Sequence, residues 1–149
     1  MSGHTYSFMY VKASLVNDLG NSFNVGFGAS TGEEGVTVVF QDDVNAMTVG
    51  SDGDYMHSLH AGQAGQVTIH LLKISPMNKV LEDEYNRQRQ SATTWGKNSM
   101  RVTNLGGNDV ISCEGMAFKK APDLHYAKDG DILQWVFDAG KIHRDLGTY

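Results

Sequence analysis

Residues 56–76 read MHSLHAGQAGQVTIHLLKISP, and this stretch decides the fold. Val67, Ile69 and Leu71 alternate with Gln66, Thr68 and His70, the period of a half-buried strand. Before it, the small residues Ala61-Gly62-Gln63-Ala64-Gly65 predict a reversal between two strands, because glycine accepts positive φ without a clash. After it, Ser75-Pro76 predicts a helix start. Serine can accept a hydrogen bond from an orphan backbone N–H, and proline at the first helical position gives up an N–H that had no partner. A hairpin that runs directly into a helix is therefore expected, with the helix covering the sheet.

Upstream, Tyr6 to Val16 reads as a strand with apolar residues on both faces: Tyr6, Phe8 and Tyr10 on one, Met9, Val11, Ala13 and Leu15 on the other. Asn17 to Asn21 is rich in turn formers, and Phe23, Val25 and Phe27 alternate after it, so the two strands predict a hairpin. Gly28 to Gly35 (GASTGEEG) lacks the Lys-Ser/Thr ending of a phosphate loop and reads as an acidic connector. Val36 to Gln41 is a strand, Asp42 to Asn45 a turn, Ala46 to Val49 the return, and Gly50 to Asp54 a flexible link.

Downstream, Met77, Val80, Leu81 and Tyr85 share a helical face, whereas Lys79, Glu82, Asp83 and Arg87 are expected to point away. Ser91 to Ser99 is a loop with a lone Trp95. Met100 to Leu105 and Val110 to Lys119 are strands. The parity changes between Ile111/Cys113 and Met116/Phe118 across Gly115, which predicts a β-bulge there. Leu124–Ala127, Asp129-Gly130 and Asp131–Asp138 predict a tight hairpin, because Asp-Gly suits a type I′ turn. Leu133, Trp135 and Phe137 share one face of its second arm, and Ile132 and Val136 make the other apolar too. Ile142 to Tyr149 is expected to be a short tail. The whole reads as one domain, 1–149, mainly β: an antiparallel β-sandwich or barrel with one flanking α-helix.

The composition sets limits. At 149 residues, 40% hydrophobic and 19% charged, the chain suits one folded domain with a real core. The formal charge of −5, with no basic run, argues against tight phosphate binding. The single Cys113 excludes an internal disulfide framework and fits a reducing compartment. No secretory leader, membrane anchor or span is expected from the MSGHTYSFMY start or from any later stretch.

The chemistry-bearing residues do not converge. His57 and His60 fall on opposite faces of a straight strand, and His70 is placed across the expected hairpin from them. Cys113 reads as a core residue, and Ser58 lacks a nucleophile-elbow pattern. The carboxylate pairs Glu33-Glu34 and Asp42-Asp43 suit solvated turns. No enzyme, cofactor or metal is expected.

GVTVVFQDDVNAMTVGSDGDYMHSLHAGQAGQVTIHLLKISPMNKVL resembles the central part of tail tube proteins of contractile-tailed bacteriophages. FKKAPDLHYAKDGDILQWVFDAGKI resembles their C-terminal part and TYSFMYVKASL their first strand. The resemblance covers nearly the whole chain. It implies two packed antiparallel sheets with a helix at the side, assembled into hexameric rings that stack into a hollow tube inside a contractile sheath. By the same resemblance DNA passes through the lumen without specific binding. Baseplate and tail terminator close the ends, and the location is the virion tail, assembled in the host bacterial cytoplasm. Tubes of phage-tail-like bacteriocins and of type VI-like injection devices share that architecture.

A small-ligand-binding β-barrel is the alternative of another class, and a small hydrolase or metal enzyme a third. The tube reading makes Gln41 to Asp54 the candidate inter-ring segment, with Asp42, Asp43, Asn45, Met47, Val49, Asp52 and Asp54 as its contacts. Lateral contacts between subunits are expected at Tyr6, Phe8, Tyr10, Ile132 and Val136.

Overall fold

The computed structural model describes residues 11–25, 35–104, 106–130 and 132–147. In chain order the elements are β1 (Val11–Val16), β2 (Ser22–Asn24), β3 (Gly35–Phe40), β4 (Asn45–Val49), β5 (Tyr55–Leu59), β6 (Gly65–Leu72), α1 (Met77–Gln88), β7 (Asn98–Asn104), β8 (Asp109–Lys120) and β9 (Ile132–Asp145). The fold is mainly β with one helix, as expected. Seven strands form one continuous antiparallel sheet in the order β2-β1-β7-β8-β9-β6-β3, and β4-β5 form a separate pair. The resemblance implied two packed sheets. Here the hydrogen-bonded ladder runs unbroken from β2 to β3 among the described residues.

One face of the sheet is the core. Val67, Ile69 and Leu71 of β6 are fully buried, beside Trp135 and Phe137 of β9, Cys113, Met116 and Phe118 of β8, and Leu15 of β1. Phe118 sits at its centre, its ring centroid 4.5 Å from that of Phe137, 6.0 Å from Trp135 and 5.5 Å from Tyr85 of the helix. Trp95, from the loop after α1, packs on the same ring at 6.3 Å, so this loop aromatic belongs to the core edge.

Helix α1 starts within one residue of the predicted point. Met77 N donates to Ser75 Oγ at 3.3 Å, the capping role foreseen for Ser75. Met77 and Leu81 are buried and Val80 and Tyr85 half-buried, which is the apolar face foreseen. Asn78 fixes the helix to the sheet. Its Nδ2 donates to Leu72 O at 2.8 Å, and its Oδ1 accepts from Trp135 Nε1 at 3.0 Å.

The bulge at Gly115 is present. Asn98 pairs with Met116 and Met100 with Cys113, so Ser99 opposes both Glu114 and Gly115, and Gly115 has φ 61°. β9 changes phase at the same level, because Ala139 and Ile142 are both buried with Gly140 and Lys141 exposed between them. Two strands therefore turn over together, and the parity switch re-aims both onto one core.

Six expectations are corrected. The first is the turn at Asp42 to Asn45 with Ala46 to Val49 as its return: β4 does not fold back on β3 but pairs with β5. Ala61 to Gly65 is not a reversal. The β3–β6 ladder continues past Gln41 N to Ala64 O (3.0 Å) and His60 N to Val44 O (2.8 Å) into the β4–β5 ladder. The chain from Gly35 to Leu72 is thus one long, interrupted hairpin whose single reversal is Gly50–Asp54. The small residues serve close approach instead. A Cβ on Gly65 would meet the Val39 carbonyl oxygen and lie 2.6 Å from Ile142 Cδ1. By the same token Gly50 to Asp54 is no flexible link. Gly50 N donates to Asp54 O at 2.7 Å, and Gly53 supplies φ 90°.

Leu124–Ala127 forms no strand. β9 pairs with β8 directly, from Val110↔Asp145 to Lys120↔Val136, and the Asp-Gly dipeptide lies in the long connection between them. Twelve residues of β8 and fourteen of β9 give a ladder that a four-residue arm could not match. Residues 142–145 are no tail but the end of β9, with Ile142 buried. Arg87 does not point to solvent, for reasons given below. The expected connector at 28–34, and the strand residues Tyr6, Phe8, Tyr10 and Phe27, lie outside the described residues.

Candidate assembly surfaces

Strands β4 and β5 project beyond the sheet as a two-stranded arm. In an antiparallel pair, residues directly opposite share a face. Asn45↔Leu59, Met47↔His57 and Val49↔Tyr55 therefore make one face, and Ala46↔Ser58 and Thr48↔Met56 the other. Both are wet. Met47 is 59% exposed, Val49 60%, Tyr55 70%, Met56 59% and Leu59 87%. On the first face His57 is held by Asn45 (Nδ2 to Nδ1, 3.2 Å) and by the Tyr55 ring edge (5.4 Å). An isolated two-stranded hairpin is marginal in water, and apolar side chains on both its faces add about 25 cal/mol for each Å² left wet. Both faces of the arm therefore leave apolar surface uncovered.

The root of the arm is fixed. Ile142 N donates to Gln63 O at 2.9 Å, and the Arg144 guanidinium lies 5.4 Å from the Phe40 ring centroid. Gly65 lets β3 and β9 close on the root from both sides. The sequence-predicted inter-ring residues are thus brought together: Asn45, Met47 and Val49 on β4, Asp52 and Asp54 at its tip, Asp42 and Asp43 at its root, all exposed. Missed were Val44, Tyr55, Met56 and Leu59. The signal was there, since Tyr55-Met56 places an apolar residue on each face of one strand.

At the opposite end of β6 a second group of apolar residues is exposed. Ile74 is 88% exposed, Leu124 61% and Tyr126 78%. Lys73 Nζ lies 4.3 Å from the Tyr126 ring centroid, which ties the β6–α1 connection to the β8–β9 connection. Of the lateral candidates, Ile132 and Val136 are half-buried on the outward face of β9 and line a shallow groove with Pro122 and Gln134. Tyr6, Phe8 and Tyr10 lie outside the described residues. The β3 edge also carries exposed apolar residues, Val39 and Phe40.

Under the helix lies a polar cluster that sequence reasoning missed. Arg87 Nη2 donates to Asp18 Oδ1 at 2.5 Å and to Glu84 Oε2 at 2.7 Å. Glu84 also accepts from Gln88 Nε2 (3.0 Å) and Asn17 Nδ2 (3.3 Å). The Arg87 hydrogen bond holds the Asp18 carboxyl below its ordinary value. Burial pushes Glu84 up, but the hydrogen bonds from Arg87, Gln88 and Asn17 outweigh it, and its net shift is downward. The same bonds raise Arg87. Arg87 Nε is buried without a hydrogen-bond partner. The cluster pins the β1–β2 turn to the last turn of α1.

His70 lies beside Thr37 (3.4 Å) on the β3–β6 ladder. The folded-over hairpin that would carry it toward His57 and His60 does not form. Among the described residues no three His, Cys, Asp or Glu side chains gather as metal ligands. Cys113 is buried, and burial pushes its thiol up to about 11, far from a reactive thiolate.

A seven-stranded antiparallel sheet, one covering helix and a projecting two-stranded arm make up the described fold, and the comparisons place that fold among tail tubes. A chain from the structure of the anti-feeding prophage cap matches with a TM-score of 0.61 at 11% identity, over 99% of this chain and 96% of that one. Chains of an extracellular contractile injection system, PVC, match likewise. One from its sheath–tube complex gives 0.59 at 9% identity over 95% and 92%, and one from its sheath/tube terminator gives 0.60 at 11% over 97% and 99%. At these identities the likeness is one of fold. The family described as Bacteriophage PhiTE tail tube protein matches residues 3–147, and this chain belongs to it. No curated protein matches.

Proposed function

We propose that this tail tube protein forms hexameric rings that stack into the inner conduit of a contractile phage tail, with 1–149 acting as one tube domain. The observation that carries the proposal is the arm. Met47, Val49, Tyr55, Met56 and Leu59 are exposed on both of its faces, and contact with other copies would bury them. By this reading Asp42, Asp43, Asn45, Met47, Val49, Asp52 and Asp54 form the inter-ring contact, with the apolar residues at its centre and the carboxylates at its rim. Ile132 and Val136, with Tyr6, Phe8 and Tyr10, make lateral contacts within a ring. The role is structural, without catalysis or cofactor.

The sheath protein covers the tube outside, and baseplate and terminator proteins meet its ends. That PVC sheath–tube and terminator chains share this fold supports those partners. DNA passes through the lumen unbound, in keeping with the formal charge of −5. The site of action is the virion tail, after assembly in the host cytoplasm. No described helix is long and apolar enough to cross a membrane. A tube of a phage-tail-like particle would use the same surfaces, and the phage family match favours the phage. Against a ligand-binding barrel, Phe118, Trp135 and Phe137 pack on one another in the space a calyx would need.

Electron microscopy of concentrated, negatively stained protein tests the reading. Hollow tubes are expected from the full chain, and small particles from a variant with residues 45–59 replaced by a short Gly-Ser link. Small monodisperse particles from the full chain would reject it.

A further inference from the structure

Three aromatic rings meet where β8 runs on past its last pairing with β7, at Met116↔Asn98. Tyr85 of α1, Trp95 of the loop after it and Phe118 of β8 have centroids 6.4 Å (Tyr85–Trp95), 5.5 Å (Tyr85–Phe118) and 6.3 Å (Trp95–Phe118) apart. They open onto a surface cavity of about 240 Å³, lined also by Arg89 and Lys119. Its walls are held in place. Thr94 Oγ1 donates to Gln88 O at 2.9 Å, Gly96 takes φ 78°, and Phe118 is buried. The Arg89 guanidinium lies 5.2 Å from the Tyr85 ring centroid.

The polar groups of this lining are one-sided. Arg89, Lys119 and the Trp95 indole can only donate, the Tyr85 hydroxyl can donate or accept, and no carboxylate lines the cavity. Arg89 and Lys119 are exposed and form no ion pair among the described residues. The carboxylates around them are engaged or set apart. Asp83 pairs with Lys79, Glu84 with Arg87 and Asp123 with Lys120. Glu82 shares the helical face of Arg89 but stands seven residues before it, roughly 10 Å along the axis. Asp138 stands opposite Ala117, two positions before Lys119. Two uncompensated cations thus rim an aromatic cavity in a chain whose formal charge is −5.

We infer that this cavity is a docking site for an acidic segment of another protein, which inserts one aromatic side chain beside Tyr85 and Trp95 and sets its flanking carboxylates against Arg89 and Lys119. Size and charge select that occupant. Pockets for whole small-molecule ligands run to roughly 300–1,000 Å³, whereas this one has room for a single ring. Three ring walls and a guanidinium favour an aromatic one, through edge-to-face and cation–π contacts. A nucleic-acid strand would need a track of cations along its phosphates, and the chain has no basic run. The inference goes beyond the tube reading and does not rest on it.

Tryptophan fluorescence of the full chain reads the site directly, because Trp95 is half-buried at the cavity and Trp135 is buried in the core. Three capped tripeptides are titrated in: phenylalanine between two aspartates, phenylalanine between two lysines, and serine between two aspartates. The first is expected to shift the emission and to bind at least about tenfold more tightly than either of the others. In the variant Arg89→Glu with Lys119→Glu the lysine-flanked phenylalanine peptide is expected to become the preferred one. Both positions are exposed, and circular dichroism should match wild type. Should that variant misfold, Arg89→Gln with Lys119→Gln takes its place, and the preference between the two phenylalanine peptides is expected to vanish. No binding, equal binding of the two phenylalanine peptides by wild type, or a preference unchanged in the variant would overturn the inference. Serine-peptide binding as tight as that of the first peptide would reduce the site to surface charge and overturn it as well. Tighter binding of a single-stranded oligothymidylate would assign the cavity to nucleic acid instead. If the aspartate-flanked phenylalanine peptide binds the dilute chain but is excluded at concentrations where copies associate, a second copy fills the cavity and the assignment to another protein is overturned.

Discussion

Gln88 and Asn98 face each other in a closed amide pair: Gln88 Nε2 donates to Asn98 Oδ1 at 2.9 Å, and Asn98 Nδ2 donates to Gln88 Oε1 at 2.8 Å. Both residues are about 1% exposed, and Asn98 Nδ2 also reaches Met116 O at 3.2 Å, beside the bulge. The pair joins the end of the helix to the start of β7 where no water can substitute.

Removing one partner should cost more than removing both. Asn98→Ala leaves the Gln88 amide unpaired and is expected to destabilise by about 1–3 kcal/mol. Replacing both by apolar residues of similar shape should cost clearly less than the sum of the singles. Urea unfolding of the two singles and the double closes the cycle, and additive losses would show that the pair is not coupled.

Acid should unfasten the helix from the β1–β2 turn. Asp18 and Glu84 both have lowered pKa values in the folded protein, from ordinary values of 3.8 and 4.5. A depressed carboxyl contributes stability that is present above its unfolded pKa and lost as pH falls through the folded one. Melting temperature should therefore be flat near neutrality and fall below about pH 4.5. Arg87→Met should lower stability at pH 7 and remove much of that acid-dependent fall. An unchanged acid profile in the variant would show that the cluster is not its source.

Gly65→Ala should damage the root of the arm. The added methyl would collide with the Val39 carbonyl oxygen, a backbone atom that has no room to turn away. A loss of about 1–3 kcal/mol is expected, as in other overpacked sites. Gly62→Ala, whose nearest neighbour is the Asp42 carboxyl at 3.8 Å, should be close to neutral. Equal melting temperatures for the two variants would refute the close approach.

Assembled tubes should not retain duplex DNA at moderate salt. The chain carries 12 basic against 17 acidic residues and no basic run. Retention with a steep salt dependence would mean a basic lumen, since each neutralised phosphate adds about 0.9 to the slope.

The strands were legible because burial writes period two into them. Val67-Ile69-Leu71 and Leu133-Trp135-Phe137 both point inward. Even the parity break at Gly115 could be read. Partners were not legible. Small residues at 61–65 look the same whether a chain reverses or squeezes past a neighbour, and only the neighbour distinguishes them. Asp129-Gly130 carried a strong local turn signal, but the fourteen residues of β9 found a better partner in β8. Arg87 was misplaced because helical spacing says nothing of a carboxylate 69 positions away. The arm was half seen. β4 was seen as a strand but folded back on β3, and β5 was spent on another wrong hairpin.

β3 and β6 run outward into the arm along their own direction, and β6 is paired with β9 at eight positions from Gly65↔Ala139 to Leu72↔Ile132. Ladder hydrogen bonds lie across the strands. A pull on the arm along its axis therefore loads all eight positions in shear at once, where a peeling force would break them singly. The sheet thus resists tension best along the direction in which the arm projects.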